Sequence, residues 1–210
     1  MKAQNETGRR EKRTRMSGDE RRAFILAQAK KVFANHSYAE ASTGELARAS
    51  DVTEPMLYKH FGSKKGLFIA VLNEFGELFM RRLKERVDRR VEKGLLEALA
   101  QIISDYRATI QADPDIHKVF FQAIAESGDP QIAQEVGKHN QRIYQLIQDL
   151  FKRAKKEGLL NQDVDIDVAT WGYLSVIIAM QYSVMQQMNE TLNDDILKEI
   201  SRLWLRAVHS

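Results

Sequence analysis

Apolar positions recur at helical spacing along almost the whole chain. After a polar start, Ser17-Gly18-Asp19-Glu20 matches the S-x-x-E capping box, and Ile25, Leu26, Ala29, Val32 and Phe33 follow it as one face through about residue 35. A second such box, Ser42-Thr43-Gly44-Glu45, predicts a short helix to about Ala49. Thr53 then caps another, with Glu54 suited to the helix dipole and Pro55 tolerated in the first turn. Gly62 ends it, and from Ser63 to about Arg90 a long helix carries Leu67, Phe68, Val71, Leu72, Phe75, Phe79 and Leu83 on one side.

Gly94 interrupts, residues 95 to 111 are amphipathic again, and Asp113-Pro114 and Asp129-Pro130 each set an N-cap acid before proline. The second of these opens a helix through Ile143, Leu146, Ile147, Leu150 and Phe151 to Gly158. Helices over about 166–188 and 194–208 complete the pattern. No period-2 stretch suggests a strand, so the expected fold class is all-α with about nine helices.

Composition agrees, because three prolines and eleven glycines in 210 residues favour helices over a turn-rich sandwich. The absence of cysteine excludes disulfides and thiolate chemistry, and fits a cytoplasmic protein. The N-terminus lacks the apolar core of a signal peptide. The most apolar stretch, Trp171 to Met180, falls short of a membrane span, so no membrane partner is expected. Net charge is only +3, but residues 1–17 carry six basic against two acidic side chains, leaving −1 for the rest. Residues 1–16 therefore read as a flexible basic arm, either adding phosphate contacts or simply solvated.

Residues 42–61 form two short helices about a tight turn, with Leu46, Ala47, Val52 and Leu57 inward, which is the helix-turn-helix arrangement. The second helix is left presenting Glu54, Met56, Tyr58, Lys59 and His60, a face suited to a major groove, though also to plain solvation. Lys64 and Lys65 fall in the first turn of the long helix, where the dipole disfavours cations, and a phosphate clamp would account for them.

Near the end of the chain, apolar surface exceeds one stripe. In the helix from Asp167, Val168, Trp171, Leu174 and Ile178 form one line, and Tyr173, Val176, Ile177, Met180 and Val184 another. The last helix adds Ile196, Leu197, Ile200, Leu203, Trp204 and Val208. A second copy would bury the surplus, and a two-fold dimer sets two reading helices about 34 Å apart; a fully internal helix is the alternative. The dimer residues expected are Tyr173, Ile177, Met180, Val184, Ile200, Leu203 and Trp204. Phe75, Phe79, Tyr106, Phe120, Phe121, Tyr144 and Ile147 are expected to face inward, joined by Trp171 and Ile178, in a core-like interior.

No catalytic motif is present. The five histidines lack metal-ligand spacing, and Asp163, Asp165 and Asp167 imitate a calcium loop without its glycine or closing glutamate, which leaves helix capping. Neither enzyme activity, a metal nor a cofactor is expected.

Ile25-Leu26 with Ala27 and Ala29, Phe33, Tyr38, Leu46-Ala47, Val52-Thr53 and the run Leu57-Tyr58-Lys59-His60-Phe61-Gly62-Ser63-Lys64-Lys65-Gly66-Leu67 resemble the TetR/AcrR-type bacterial regulators, over roughly residues 20 to 72. The resemblance implies a cytoplasmic homodimer built on the last two helices, double-stranded operator DNA as partner, and a small-molecule effector in the C-terminal helices. It implies phosphate contacts from Thr43, Tyr58, His60 and Lys64, and base reading from Thr53, Glu54, Pro55, Met56 and Lys59. It places an effector site among Phe75, Phe79, Tyr106, Phe120, Phe121, Tyr144, Trp171 and Ile178. Ser50-Asp51 stands where the family usually has Ala-Gly in the turn, and Asp tolerates the left-handed backbone required. The expected domains are 17–62, helix-turn-helix, and 63–210, ligand binding and dimerisation. The expected function is a repressor released by an apolar or aromatic effector; the alternative is a helical carrier or interaction module without specific DNA reading.

Overall fold

The computed structural model describes residues 16–186, 188 and 190–209. The basic arm, apart from Met16, lies outside them. Among the described residues there are nine helices: α1 Gly18–Asn35, α2 Thr43–Ala49, α3 Glu54–Phe61, α4 Lys64–Val91, α5 Leu95–Ala112, α6 Pro114–Ala125, α7 Pro130–Lys156, α8 Ile166–Met185 and α9 Asp194–Val208. None of them is long and apolar enough to cross a membrane.

Caps set most of the boundaries. The Ser17/Glu20 box is complete, with Ser17 Oγ accepting from Glu20 N at 3.2 Å and Glu20 Oε2 accepting from Ser17 N at 2.8 Å. At α2 only half of the expected box forms. Ser42 accepts from Glu45 N at 3.1 Å, but the Glu45 carboxylate turns to His36 Nε2 at 3.1 Å. Thr53 holds the N-cap position of α3 without a side-chain bond. Asp113 and Asp129 cap α6 and α7, and Asp165 caps α8 through Asp167 N and Val168 N, the role expected in place of a calcium loop.

Two cores meet along α4. The upper one packs Ile25, Phe33, Leu46 and Leu57 against Leu67, Phe68 and Val71, then continues into α6 and the start of α7 through Ile116, Val119 and Ile132. The lower one joins Phe79, Leu83 and Val87 to α5, α7, α8 and α9. Each fully buried aliphatic or aromatic side chain contributes about 1.5–3 kcal/mol. Sharing α4 and α7 therefore couples the small N-terminal helices mechanically to the larger bundle.

The orientation of α8 differs from the expectation. Tyr173, Ile177 and Met180, expected on an outer face, are buried in the lower core, Tyr173 at 0 % exposure. Trp171 and Ile178, expected inside, are 56 % and 51 % exposed. The helix is apolar on nearly every side, so periodicity cannot select a face; packing against α7 and α5 does. Small size matters too: a Cβ on Gly172 would lie 2.6 Å from the Trp204 ring, so the glycine lets α9 lay that indole on α8.

Candidate nucleic-acid interface

The α2-turn-α3 unit is built on Leu46, Ala47 and Leu57, all buried, while Val52 is half-buried. Asp51 adopts φ 51° in the turn, the left-handed conformation that the spacing of the two helices demands. Val52 N donates to Ala47 O at 3.1 Å, tightening the corner. Gly62, at φ 76°, ends α3 and donates to Tyr58 O at 2.7 Å. Ser63 Oγ then accepts from Gly66 N at 2.9 Å and starts α4.

With Leu57 anchored at 0 % exposure, every other residue from Thr53 to His60 is exposed, including Met56 at 39 % and Tyr58 at 42 %. An exposed aromatic ring, a thioether, a lysine and a histidine on one side of a short helix leave apolar and hydrogen-bonding surface unburied by the chain itself. That chemistry matches base edges and phosphates. Glu54 belongs to the same face and is pinned there: Thr43 Oγ1 donates to its Oε2 at 2.8 Å. Thr43 is thus engaged by Glu54 rather than left open to a phosphate.

The lysines of the α4 first turn differ from the expectation more sharply. Lys64 Nζ donates to the carbonyls of Tyr38, at 2.9 Å, and Ala39, at 3.3 Å, and lies 4.7 Å from the Tyr38 ring centroid. Lys65 Nζ pairs with Asp129 Oδ2 at 2.9 Å, and this bond holds the Asp129 carboxyl below its ordinary range. Carbonyl and carboxylate partners offset the dipole penalty, so a phosphate is not required to explain either lysine. Arg21 and Arg48 were not picked out by sequence reasoning. They flank an open groove with Asp51, Val52, Thr53 and Met56 beside the exposed face. Arg21 sits in the first turn of α1, where the dipole disfavours a cation and an anion beside it would be favoured.

A small cavity of about 30 Å³ lies farther along the bundle, lined by Phe79, Tyr106, Phe120 and Phe121 of the expected effector residues. Phe75 is one turn away, under the Lys30 ammonium at 4.3 Å. Tyr144, Trp171 and Ile178 are not part of the lining: Tyr144 donates to Asp167 at 2.8 Å and stacks near Trp171 on the outer seam of α7 and α8. Polar wall residues that periodicity could not reveal are His117, His139, Asn140 and Gln181. Burial pushes both histidines down to about 4. The α6 wall is tied to α1, since Gln122 Nε2 donates to Phe33 O at 2.6 Å and His36 O at 3.0 Å, and Lys30 pairs with Asp113 at 2.6 Å.

Of the expected dimer residues, Val184 and Leu203 are exposed and Ile200 and Trp204 half-buried. Together with Val168, Trp171, Ile178, Tyr182 and Ile196 they leave a large apolar surface on α8 and α9.

Comparison with known proteins agrees with this geometry. Residues 25–71 match the family described as bacterial regulatory proteins, tetR family. The HTH-type transcriptional activator FasR of Mycolicibacterium smegmatis is 27 % identical over 140 residues, 66 % of this chain and 62 % of that protein. The HTH-type transcriptional regulator EthR of the same organism is 30 % identical over 90 residues, 43 % of this chain and 40 % of its own length. The match thus spans about three fifths and two fifths of these relatives. Among solved structures, the transcriptional regulator FadR from Bacillus subtilis in complex with stearoyl-CoA superposes with a TM-score of 0.71 at 18 % identity, covering 88 % of this chain and 95 % of that one. The fatty acid degradation regulator FadR from Bacillus halodurans gives 0.71 at 19 % identity, covering 87 % and 97 %. These likenesses show the all-α fold. The motif around Tyr58 and the exposed helix that carries it lie within residues 25–71, the segment that is similar to the tetR family of bacterial regulatory proteins.

Proposed function

We propose that the protein is a dimeric, operator-binding transcriptional repressor of the cytoplasm, released from DNA by a small apolar or aromatic effector. The observation that carries this reading is the exposed side of α3, held outward by Leu57 and offering Met56, Tyr58, Lys59 and His60 to a groove. Residues 17–62 act as the reading head and residues 63–210 as the ligand-binding and dimerisation part. Glu54, oriented by Thr43, is suited to accept from a cytosine amino group, and Arg21 and Arg48 to hold phosphates beside it. The outer apolar face of α8 and α9 supports pairing with a second copy, because a patch of this kind is costly in water and two-fold symmetry duplicates the head.

Release follows from the link between cavity and head. A molecule entering beside Phe120 and Phe121 displaces α6, which carries Gln122 and hence the carboxyl end of α1. His36, at that end, holds Glu45 of α2. Stearoyl-CoA is the ligand of the Bacillus subtilis FadR structure, and a bulky lipid thioester is a second reading for this bundle. A void of about 30 Å³ admits neither guest until α6 moves to widen it, and a lining dense with aromatic rings favours the flat, compact one. Selection of bound duplexes from a random pool, followed by anisotropy titration at several salt concentrations, tests the function: one enriched motif and steep salt dependence are expected, whereas equal binding to all duplexes would leave only the carrier reading.

A further inference from the structure

We infer that the cavity takes a neutral aromatic molecule bearing a hydroxyl group, gripped between His117 of α6 and His139 of α7. This rests on the effector reading above and names its ligand class.

Three observations converge. First, none of the described residues lining the cavity is Asp, Glu, Lys or Arg, so a ligand charge of either sign would be buried without a counter-ion, which costs far more than burying a neutral group. Arg142, which acts on His139, is itself held in an ion pair by Glu77. Second, His117 Nε2 and His139 Nδ1 are buried and find no hydrogen-bond partner within the protein. His139 is more than nine-tenths buried, and groups of this kind are normally satisfied. Water can serve them in the free protein, but a ligand that displaces it must bring a replacement. Third, the walls are rings: His139 lies 4.2 Å from Phe120 and 5.6 Å from Phe79, centroid to centroid, and His117 meets Phe121 edge-on at 4.6 Å. Flat apolar walls accept a flat apolar guest by offset or edge-to-face stacking.

A hydroxyl resolves the polar requirement whichever tautomer each imidazole adopts, because it both donates and accepts. A carboxylate can only accept, and would need both imidazoles to supply hydrogen. With burial holding them near 4, only about one imidazole in a thousand is charged at neutral pH. Tyr106 OH is already engaged by Gln181 and Asn140 is exposed, which leaves the two histidines as the pair with buried, unpartnered nitrogens.

The test is calorimetric titration of the full chain, with anisotropy of its selected operator alongside, against matched probes on two frames: phenol and 2-naphthol; benzene and naphthalene; benzoate and 2-naphthoate; benzylammonium and naphthylmethylammonium. The hydroxyl probe of at least one frame is expected to bind about tenfold more tightly than its hydrocarbon twin, and more tightly still than either ion. That hydroxyl-to-hydrocarbon ratio should fall towards one in His139→Phe and in His117→Phe, a comparison made within each protein and so independent of its stability. Equal binding and equal DNA release by phenols and hydrocarbons would overturn the hydroxyl inference and leave the effector cavity standing. Preference for a carboxylate or an ammonium would also overturn it. Failure of all eight probes to bind the folded protein would overturn the hydroxyl inference and leave a non-aromatic effector for the cavity.

Discussion

Ser50 carries an unresolved local conflict: its hydroxyl is buried in the turn before α3 with no hydrogen-bond partner. Such a group costs about 1–3 kcal/mol, so Ser50→Ala, which restores the residue usual in the family, should raise stability by about 1 kcal/mol in denaturant titration; a loss would show that the hydroxyl is satisfied after all. His139 sets a pH dependence. Its folded pKa, about 4, lies below the ordinary 6.5, so the unfolded chain binds a proton that the folded chain does not. Stability is therefore lost as pH falls through the window from about 6.5 to about 4, by up to about 3 kcal/mol from this residue. His139→Phe should flatten that part of the curve, and an identical decline in both proteins would contradict the assignment. Gly66 is constrained by space, since a Cβ there would sit 2.0 Å from the Phe61 carbonyl oxygen. The glycine is what lets α4 start so close behind α3.

Among the elements, caps made most boundaries legible from sequence. The Ser17/Glu20 box, the two Asp-Pro starts and Gly62 all act within a few residues, so local pattern contains their physics. The Lys64 and Lys65 partners were not legible, because the acceptors at Tyr38, Ala39 and Asp129 are distant in sequence. Nor was the rotation of α8, whose two apolar stripes look alike until neighbours choose between them. That choice makes a sharp prediction. Trp171→Asp and Ile178→Asp should leave the fold intact and shift the protein towards monomer in sedimentation velocity, whereas Ile177→Asp should unfold it; monodisperse dimer from both outer variants would exclude the α8 face. The α6 to α1 link predicts a separate outcome. In Gln122→Ala, any cavity ligand that releases wild-type DNA should bind within about threefold of its wild-type affinity yet release DNA less completely. Full release in that variant would show that the coupling runs elsewhere.

For the molecule as a whole, the two cores share α4 and α7, and the ties of Gln122 and Asp113 to α1 are the route proposed from the cavity to the head. The head was the most legible part, since Leu57 inward and Tyr58 outward follow from helical spacing alone. The cavity was legible only in its phenylalanines and Tyr106, because a histidine in the register of an apolar face, as His117 and His139 are, does not announce by residue type whether it turns inward. Duplication of the head by the α8–α9 face predicts an operator with two related half-sites. The most direct measurement of the central claim is anisotropy titration of the selected operator by the wild-type protein, Tyr58→Ala and Met56→Ala. Removing either exposed side chain should weaken specific binding by about 1–3 kcal/mol, roughly fivefold to 150-fold, while the thermal midpoint stays near wild type. Unchanged operator affinity in both variants would contradict the assignment of α3 as the reading helix.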